Sequence, residues 1–176
     1  MKKKMTAVFM FSALLMLAGC GKSGQDLDTP KGMTEAYLSY MKEGSYEKAA
    51  ETVGAEFDKD SYENSAELQK NAMKASYAKM EYEIKEEKAD QAKATVSVTI
   101  KNANYLTIMD DAIFETMQKQ EDDAYTEKIF KEKLKEAEPQ EVEVLVNYRK
   151  EEGKWVFDGS NSQLQAAMLG YLTTEK

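Results

Sequence analysis

The chain has 176 residues, 24 of them basic and 32 acidic, for a formal charge of −8, and it contains no histidine. An acidic body repels phosphate backbones, so nucleic-acid binding is disfavoured. The missing imidazole removes the usual neutral-pH acid–base group, the Ser-His-Asp and Cys-His arrangements, and the commonest zinc ligand.

The chain opens Met1-Lys2-Lys3-Lys4, continues with an apolar run from Ala7 to Ala18 broken only by Ser12, and then reads Leu17-Ala18-Gly19-Cys20. A basic start, a short apolar stretch and small residues at its end make a secretory signal over residues 1–19. Twelve helical residues span about 18 Å, short of the ~30 Å hydrocarbon core, so the run is not expected to stay as a membrane span. Leu17 to Cys20 resembles the bacterial lipobox at all four positions. That resemblance implies a diacylglyceryl group on Cys20 and cleavage just before it. Two acyl chains hold a protein on a bilayer where one would not. Cys20 is the sole cysteine, so no disulfide can form within the chain, and removing residues 1–19 with their three lysines takes the charge from −8 to −11. Residues 20–29 are small and polar, a tether reaching about 15–18 Å. The expected location is the outer face of the cell membrane, with the bilayer as partner through acylated Cys20.

A domain over residues 30–176 follows. Thr29-Pro30 starts a helix, with Met33, Ala36, Tyr37, Tyr40 and Met41 on one face and Gly44 as its stop. Ser45 caps a short helix to Val53. Asn64 to Glu67 has the form of a capping box for a third helix, running to about Lys79. Met80, Tyr82 and Ile84 then alternate with charged residues, as do Ala94, Val96, Val98 and Ile100 with polar ones, across a turn at Lys88 to Gln91; this is a hairpin. Residues 105–137 are helical, as one helix or as two broken near Lys119 to Asp123. Val142 to Tyr148 alternate again, Glu151-Glu152-Gly153 turns, and 154–158 returns. Ser160 to Gln163 forms another capping box before a last helix carrying Leu164, Met168 and Tyr171 or Leu172. Hairpins alternating with helices give an α+β domain, an antiparallel sheet with helices largely on one face.

The segments TEAYLSYMKEGSYEKAAETV, ADQAKATVSVTI, VEVLVNYRKEEGKWVFD and LQAAMLG, behind a lipobox, resemble Gram-positive lipoproteins with an NTF2-like, somewhat cystatin-like domain. The resemblance implies a curved antiparallel sheet wrapped around a helix with a conical pocket, and it admits a homodimer, since such domains often pair through their sheets. Some relatives are isomerases or dehydratases, while many bind ligands or other proteins. This chain departs from the pattern in showing four clear strands and a helical 105–137, and the His–Asp pair of some relatives cannot exist here.

Tyr37, Tyr40, Tyr82, Tyr148 and Trp155 fall on inward faces and could line a small-ligand pocket; plain core packing, with hydroxyls satisfied near the edge, is the preferred account. Carboxylates from Asp58 stand at the first and third positions of an EF-hand-like loop. Glu63 replaces the required glycine and Gln69 the bidentate glutamate, so a solvated loop and helix cap is the better account. Asp158, at a strand end near Trp155, is the carboxylate most suited to act as a base, and a turn residue before Gly159 is the plainer reading. No catalytic, metal or cofactor site is assigned. The expected role is non-enzymatic binding of a small ligand or an envelope protein, with a ligand-free interaction module or a small isomerase- or hydrolase-like enzyme as alternatives. Chain recovered from membranes should begin at a diacylglyceryl-modified Cys20, as read by mass spectrometry of the N-terminal peptide; an unmodified precursor free in the medium would overturn the anchor.

Overall fold

The computed structural model describes residues 26–159 and 161–171. Cys20, the signal segment, most of the tether, Ser160 and residues 172–176 lie outside the described residues. Among the described residues are seven helices and four strands, in the order α1 (Pro30–Glu43), α2 (Tyr46–Thr52), α3 (Lys59–Asn64), α4 (Glu67–Lys79), β1 (Glu81–Ala89), β2 (Lys93–Asn102), α5 (Tyr105–Lys119), α6 (Asp123–Glu136), β3 (Gln140–Glu151), β4 (Lys154–Phe157) and α7 (Ser162–Met168). The strands form one open antiparallel sheet in the order β1-β2-β3-β4. The α+β class read from the sequence is thus what the chain adopts.

Local chemistry accounts for most element ends. Thr29 caps α1 by accepting from the Gly32 amide at 3.1 Å, with Pro30 at the first helical position. Asn104 and Asp122 cap α5 and α6 in the same way, from Thr107 and Tyr125. The polar run at 119–123 is therefore the turn between two helices. One expected capping box is not used; Ser160, which opens the other, lies outside the described residues. The segment expected to be a solvated loop is α3, capped by Asp58 through the Ser61 amide at 2.9 Å. Asn64 and Ser65 are consequently spent on α3's own carbonyls, those of Asp60 and Ser61, and α4 starts from Ala66 without a side-chain cap. Asn161 likewise does not cap α7. Its amide bonds both the N–H (2.8 Å) and the carbonyl (2.9 Å) of Asn147, continuing the ladder where β4 has ended.

One sheet face is buried. Val96, Val98 and Ile100 stand opposite Val146, Val144 and Val142, and the large Tyr148 stands opposite the small Ala94. This face packs with Met33, Tyr37 and Leu38 of α1, Ala49 of α2, Tyr77 of α4 and Leu164 and Met168 of α7 in the main core. Thr95, Ser97, Glu143 and Leu145 alternate onto the other, more exposed face. A register shift between Ile84 and Glu87 places one extra residue in β1, which is why its alternation fades after Ile84. Tyr148, 1% exposed, exchanges a 2.8 Å hydrogen bond with Thr34 of α1. A second core forms where α5 and α6 pack beside α4, built on Tyr105, Ile108, Met109, Phe130 and Leu134 with Ala72 and Ala103. Lys79, in the last turn of α4, donates to the carbonyls of Leu134 and Ala137 at the end of α6, a cation at a helix C-terminus.

Asn102, 1% exposed, joins the two cores. Its amide nitrogen reaches the Met168 carbonyl (2.6 Å) and the Ser76 carbonyl (3.1 Å), and its oxygen accepts from the Ala103 amide (2.9 Å). Gly170 makes the docking of α7 possible. At φ +69 it lies so close to the β2–α5 link that an added Cβ would come within 2.4 Å of the Ala103 carbonyl oxygen. Asn102→Ala leaves the buried Met168 and Ser76 carbonyls without this donor, a cost of about 3 kcal/mol, so thermal unfolding should drop by roughly 6–12 °C. A drop under about 2 °C in calorimetry would show that the junction does not depend on this side chain.

Candidate functional site

An open-mouthed cavity of about 590 Å³ lies beyond the β4 edge of the sheet, between α1, α2, the 53–57 segment, α3, α4 and α7. Its volume suits a small organic ligand. Tyr37 and Met41 come from α1, Tyr46 and Ala50 from α2, Phe57 and Tyr62 from the α2–α3 region, Met73 and Tyr77 from α4, and Phe157 from the end of β4.

The aromatic walls interlock. Tyr46 meets Tyr62 edge-to-face at a centroid distance of 5.5 Å and Tyr77 at 5.9 Å, while Phe57 leans on Tyr62 at 5.6 Å. Phe157 stands between Tyr37 (5.0 Å) and the buried Tyr148 (5.2 Å), so one wall is continuous with the main core. Such edge contacts add to the stabilisation from burial. Gly54 lets the 53–57 segment come down onto β4. Its φ is +67, and an added Cβ would lie 2.8 Å from Val156 Cγ1, a separation that leaves room only for hydrogen. The Val53 carbonyl then accepts from the Phe157 amide at 2.9 Å.

Polar groups gather at the mouth. Arg149 bonds Glu151 (Nε to Oε1, 2.8 Å) and the Phe157 carbonyl (3.0 Å), with Asp158 at 4.0 Å. Asp158, Glu56 and Gln165 also border the space. Deeper in, Tyr46 Oη is buried and has no hydrogen-bond partner. Burial, with Tyr62 nearby, pushes the Tyr46 phenol up to about 12, and burial alone does the same for Tyr37. The Tyr77 phenol is raised too, first by burial and then by the proximity of Tyr37 and Tyr46. The three tyrosines are therefore close neighbours that stay protonated across ordinary pH, with the Tyr46 hydroxyl closed off from the open space. The space offers apolar walls and neutral donors, with a charged rim that is already partly self-paired.

Of the five aromatic residues singled out in the sequence, Tyr37 lines this cavity and the other four sit elsewhere. Tyr40 is half-buried against the main core. Tyr82 lies in β1 with Lys42 Nζ 5.8 Å from its ring centre. Tyr148 is engaged by Thr34 within the core. Trp155 packs at the core's margin with Lys150 Nζ 4.7 Å above its ring. Alternation along β4 puts Trp155 and Phe157 on one face, and the cavity takes Phe157. Asp158 does border the cavity, beside Arg149. Tyr46, Tyr62, Tyr77, Phe57 and Phe157 were not singled out. The spacing of Tyr46, Ala49, Ala50 and Val53, and of Met73 and Tyr77, is the signal that could have found the helical ones.

The chain matches no protein-family profile and no curated protein. Among solved structures it is similar to YcdA of Bacillus subtilis, described as a lipoprotein, at 15% identity and a TM-score of 0.42. The match covers 76% of this chain and 45% of that one, so this chain spans less than half the length of the protein it resembles. No helix among the described residues is long and apolar enough to cross a membrane.

The buried, unpartnered Tyr46 hydroxyl carries a specific expectation. Leaving such a group unsatisfied costs about 1–3 kcal/mol, so Tyr46→Phe should hold or raise the melting temperature of ligand-free protein, by up to roughly 12 °C. A clear fall in calorimetry would mean that the hydroxyl is satisfied in solution.

Proposed function

We propose that this chain is an extracytoplasmic lipoprotein, held to the outer face of the membrane through acylated Cys20, whose domain binds a small, largely apolar ligand in the aromatic cavity. The observation that carries the binding role is the cavity of about 590 Å³ walled by Tyr37, Tyr46, Phe57, Tyr62, Tyr77 and Phe157, with the Tyr46 hydroxyl buried there and unpartnered. Apolar walls supply affinity by area removed from water, and a few polar groups fix orientation. The anchor rests on the basic start, the apolar run and the lipobox-like Leu17 to Cys20. The NTF2-like assignment is supported by the meander of four antiparallel strands with the cavity at one end of their buried face. The role is non-enzymatic, with binding as its output.

Native mass spectrometry of chain purified gently from the cells that make it tests this reading. A defined extra mass, lost on denaturation, is expected. Ala50→Trp places an indole in the cavity from the α2 wall; it should abolish that extra mass while leaving the circular-dichroism spectrum and cooperative unfolding intact. An extra mass that persists in Ala50→Trp would place the ligand elsewhere, and a bare mass together with no binding to a panel of apolar small molecules would overturn the role.

A further inference from the structure

We infer that the outward face of α5 is a docking surface for a cationic amphipathic segment of a partner protein, separate from the ligand cavity. The buried side of α5 is formed by Tyr105, Ile108, Met109 and Ala112, which fill the second core. The opposite side is also apolar. Leu106 is 51% exposed, Ile113 40%, Phe114 63% and Met117 72%, and these are four of the six exposed large hydrophobic residues among the described ones. Positions 106, 113, 114 and 117 follow the i, i+7, i+8, i+11 spacing of a single helix stripe. A helix that is apolar on both sides is normally enclosed, and a rimmed apolar patch of this kind marks an interaction surface.

Charge decides what encloses it. Asp110, four residues after Leu106 and four before Phe114, is exposed within the stripe itself, Asp111 is exposed beside it, and Glu121, Asp122 and Asp123 follow the C-terminal end of α5. The one cation of α5, Lys119, is bound by Glu115 and Tyr125 and stacks 5.1 Å from the Tyr125 ring centre. The stripe is thus apolar with one acid set into it and others around it, and the nearby cations Lys119 and Lys133 are both paired with Glu115. A bilayer with anionic lipids is repelled, and a second copy of a chain with net charge −8 brings the same acids to the contact. A partner helix presenting apolar residues at i, i+3 and i+4 and flanking Lys or Arg satisfies both the stripe and its border. The sheet edges offer no rival site. Outer strand β1 is studded with Glu and Lys, and β4 is short and partly covered through the Val53–Phe157 bond.

The test uses the full chain in the cells that make it, with the photo-cross-linking amino acid benzoylphenylalanine in place of Met117 and, as a control, in place of Leu145 on the exposed sheet face. After irradiation, the cross-linked peptide is identified by mass spectrometry. The expected result is an adduct from position 117, and not from 145, to a helical segment of another protein with apolar i, i+3, i+4 spacing and an excess of Lys and Arg. Reversing the acidic charge with Asp110→Lys and Asp111→Lys, which leaves the apolar residues in place, should reduce that adduct by about tenfold. An adduct to a second copy of this chain, to lipid or to a segment without basic amphipathic character would overturn the inference, as would no adduct or one indifferent to the charge reversal.

Discussion

The side chain of Asn102 is the tie on which the two halves of this molecule depend. A residue at the end of a central strand is surrounded by apolar groups, yet it carries an amide with two donors and an acceptor. It resolves this by serving three segments at once: the end of α7 through the Met168 carbonyl, α4 through the Ser76 carbonyl, and its own chain through the Ala103 amide. A neutral amide costs less to bury than a charge, and once fully paired it costs little. The return is geometric. Helix α4 belongs to both cores, contributing Tyr77 to one and Ala72 to the other, and Asn102 fixes where the sheet ends against it. With the sheet's end set there, α7 has one seat, and the cavity has one of its walls.

That chain of dependence explains why the site is built as it is. The walls come from five helices, a loop and a strand end, so no short motif could contain them. What they share is attachment to fixed points: Phe157 to the Val53 carbonyl, Arg149 to Phe157, and Asn161 to Asn147. The first two use backbone groups of Phe157 at the end of β4, a strand of four residues, and the third uses the β3 backbone beyond that end. The shortness of β4 therefore leaves edge groups free for the cavity rim to be pinned on.

The legibility of the chain followed the range of the interactions. Thr29-Pro30, the two hairpins and the number of strands were all readable, because caps, period-two alternation and turn residues act within a few positions of themselves, whereas 105–137 stayed open between one helix and two. The same local logic failed where a distant partner outbid it. Asn161 has the right form for a helix cap and goes to β3 instead, and Asn64 and Ser65 serve the helix before them rather than the one after. Helix α3 was missed because its six residues bury no apolar side, leaving no period to detect. The aromatic residues chosen from the sequence were inward-facing, which alternation can reveal. Alternation cannot say whether an inward face meets side chains or space, and only Tyr37 of the five meets the cavity. The outward stripe of α5 was hidden by the opposite problem, since an apolar residue in sequence carries no mark of which side its neighbours will leave open.

The entry of the chain into the domain has a mechanical consequence. The backbone arrives beside β1, where the Lys31 amide donates to the Glu87 carboxylate at 2.8 Å, and α1 then runs back along that strand until Lys42 reaches the ring of Tyr82. The β4 side of the cavity, at Phe157, lies three strand spacings or roughly 14 Å from β1 across the sheet. A pull applied ahead of Asp26 is therefore taken up by the first turn of α1 and the outer strand beside it. Tyr37 and Met41, one and two turns further along the same helix, belong to the cavity wall, so tension that unwound α1 past its first turn would slacken the mouth before it disturbed the sheet.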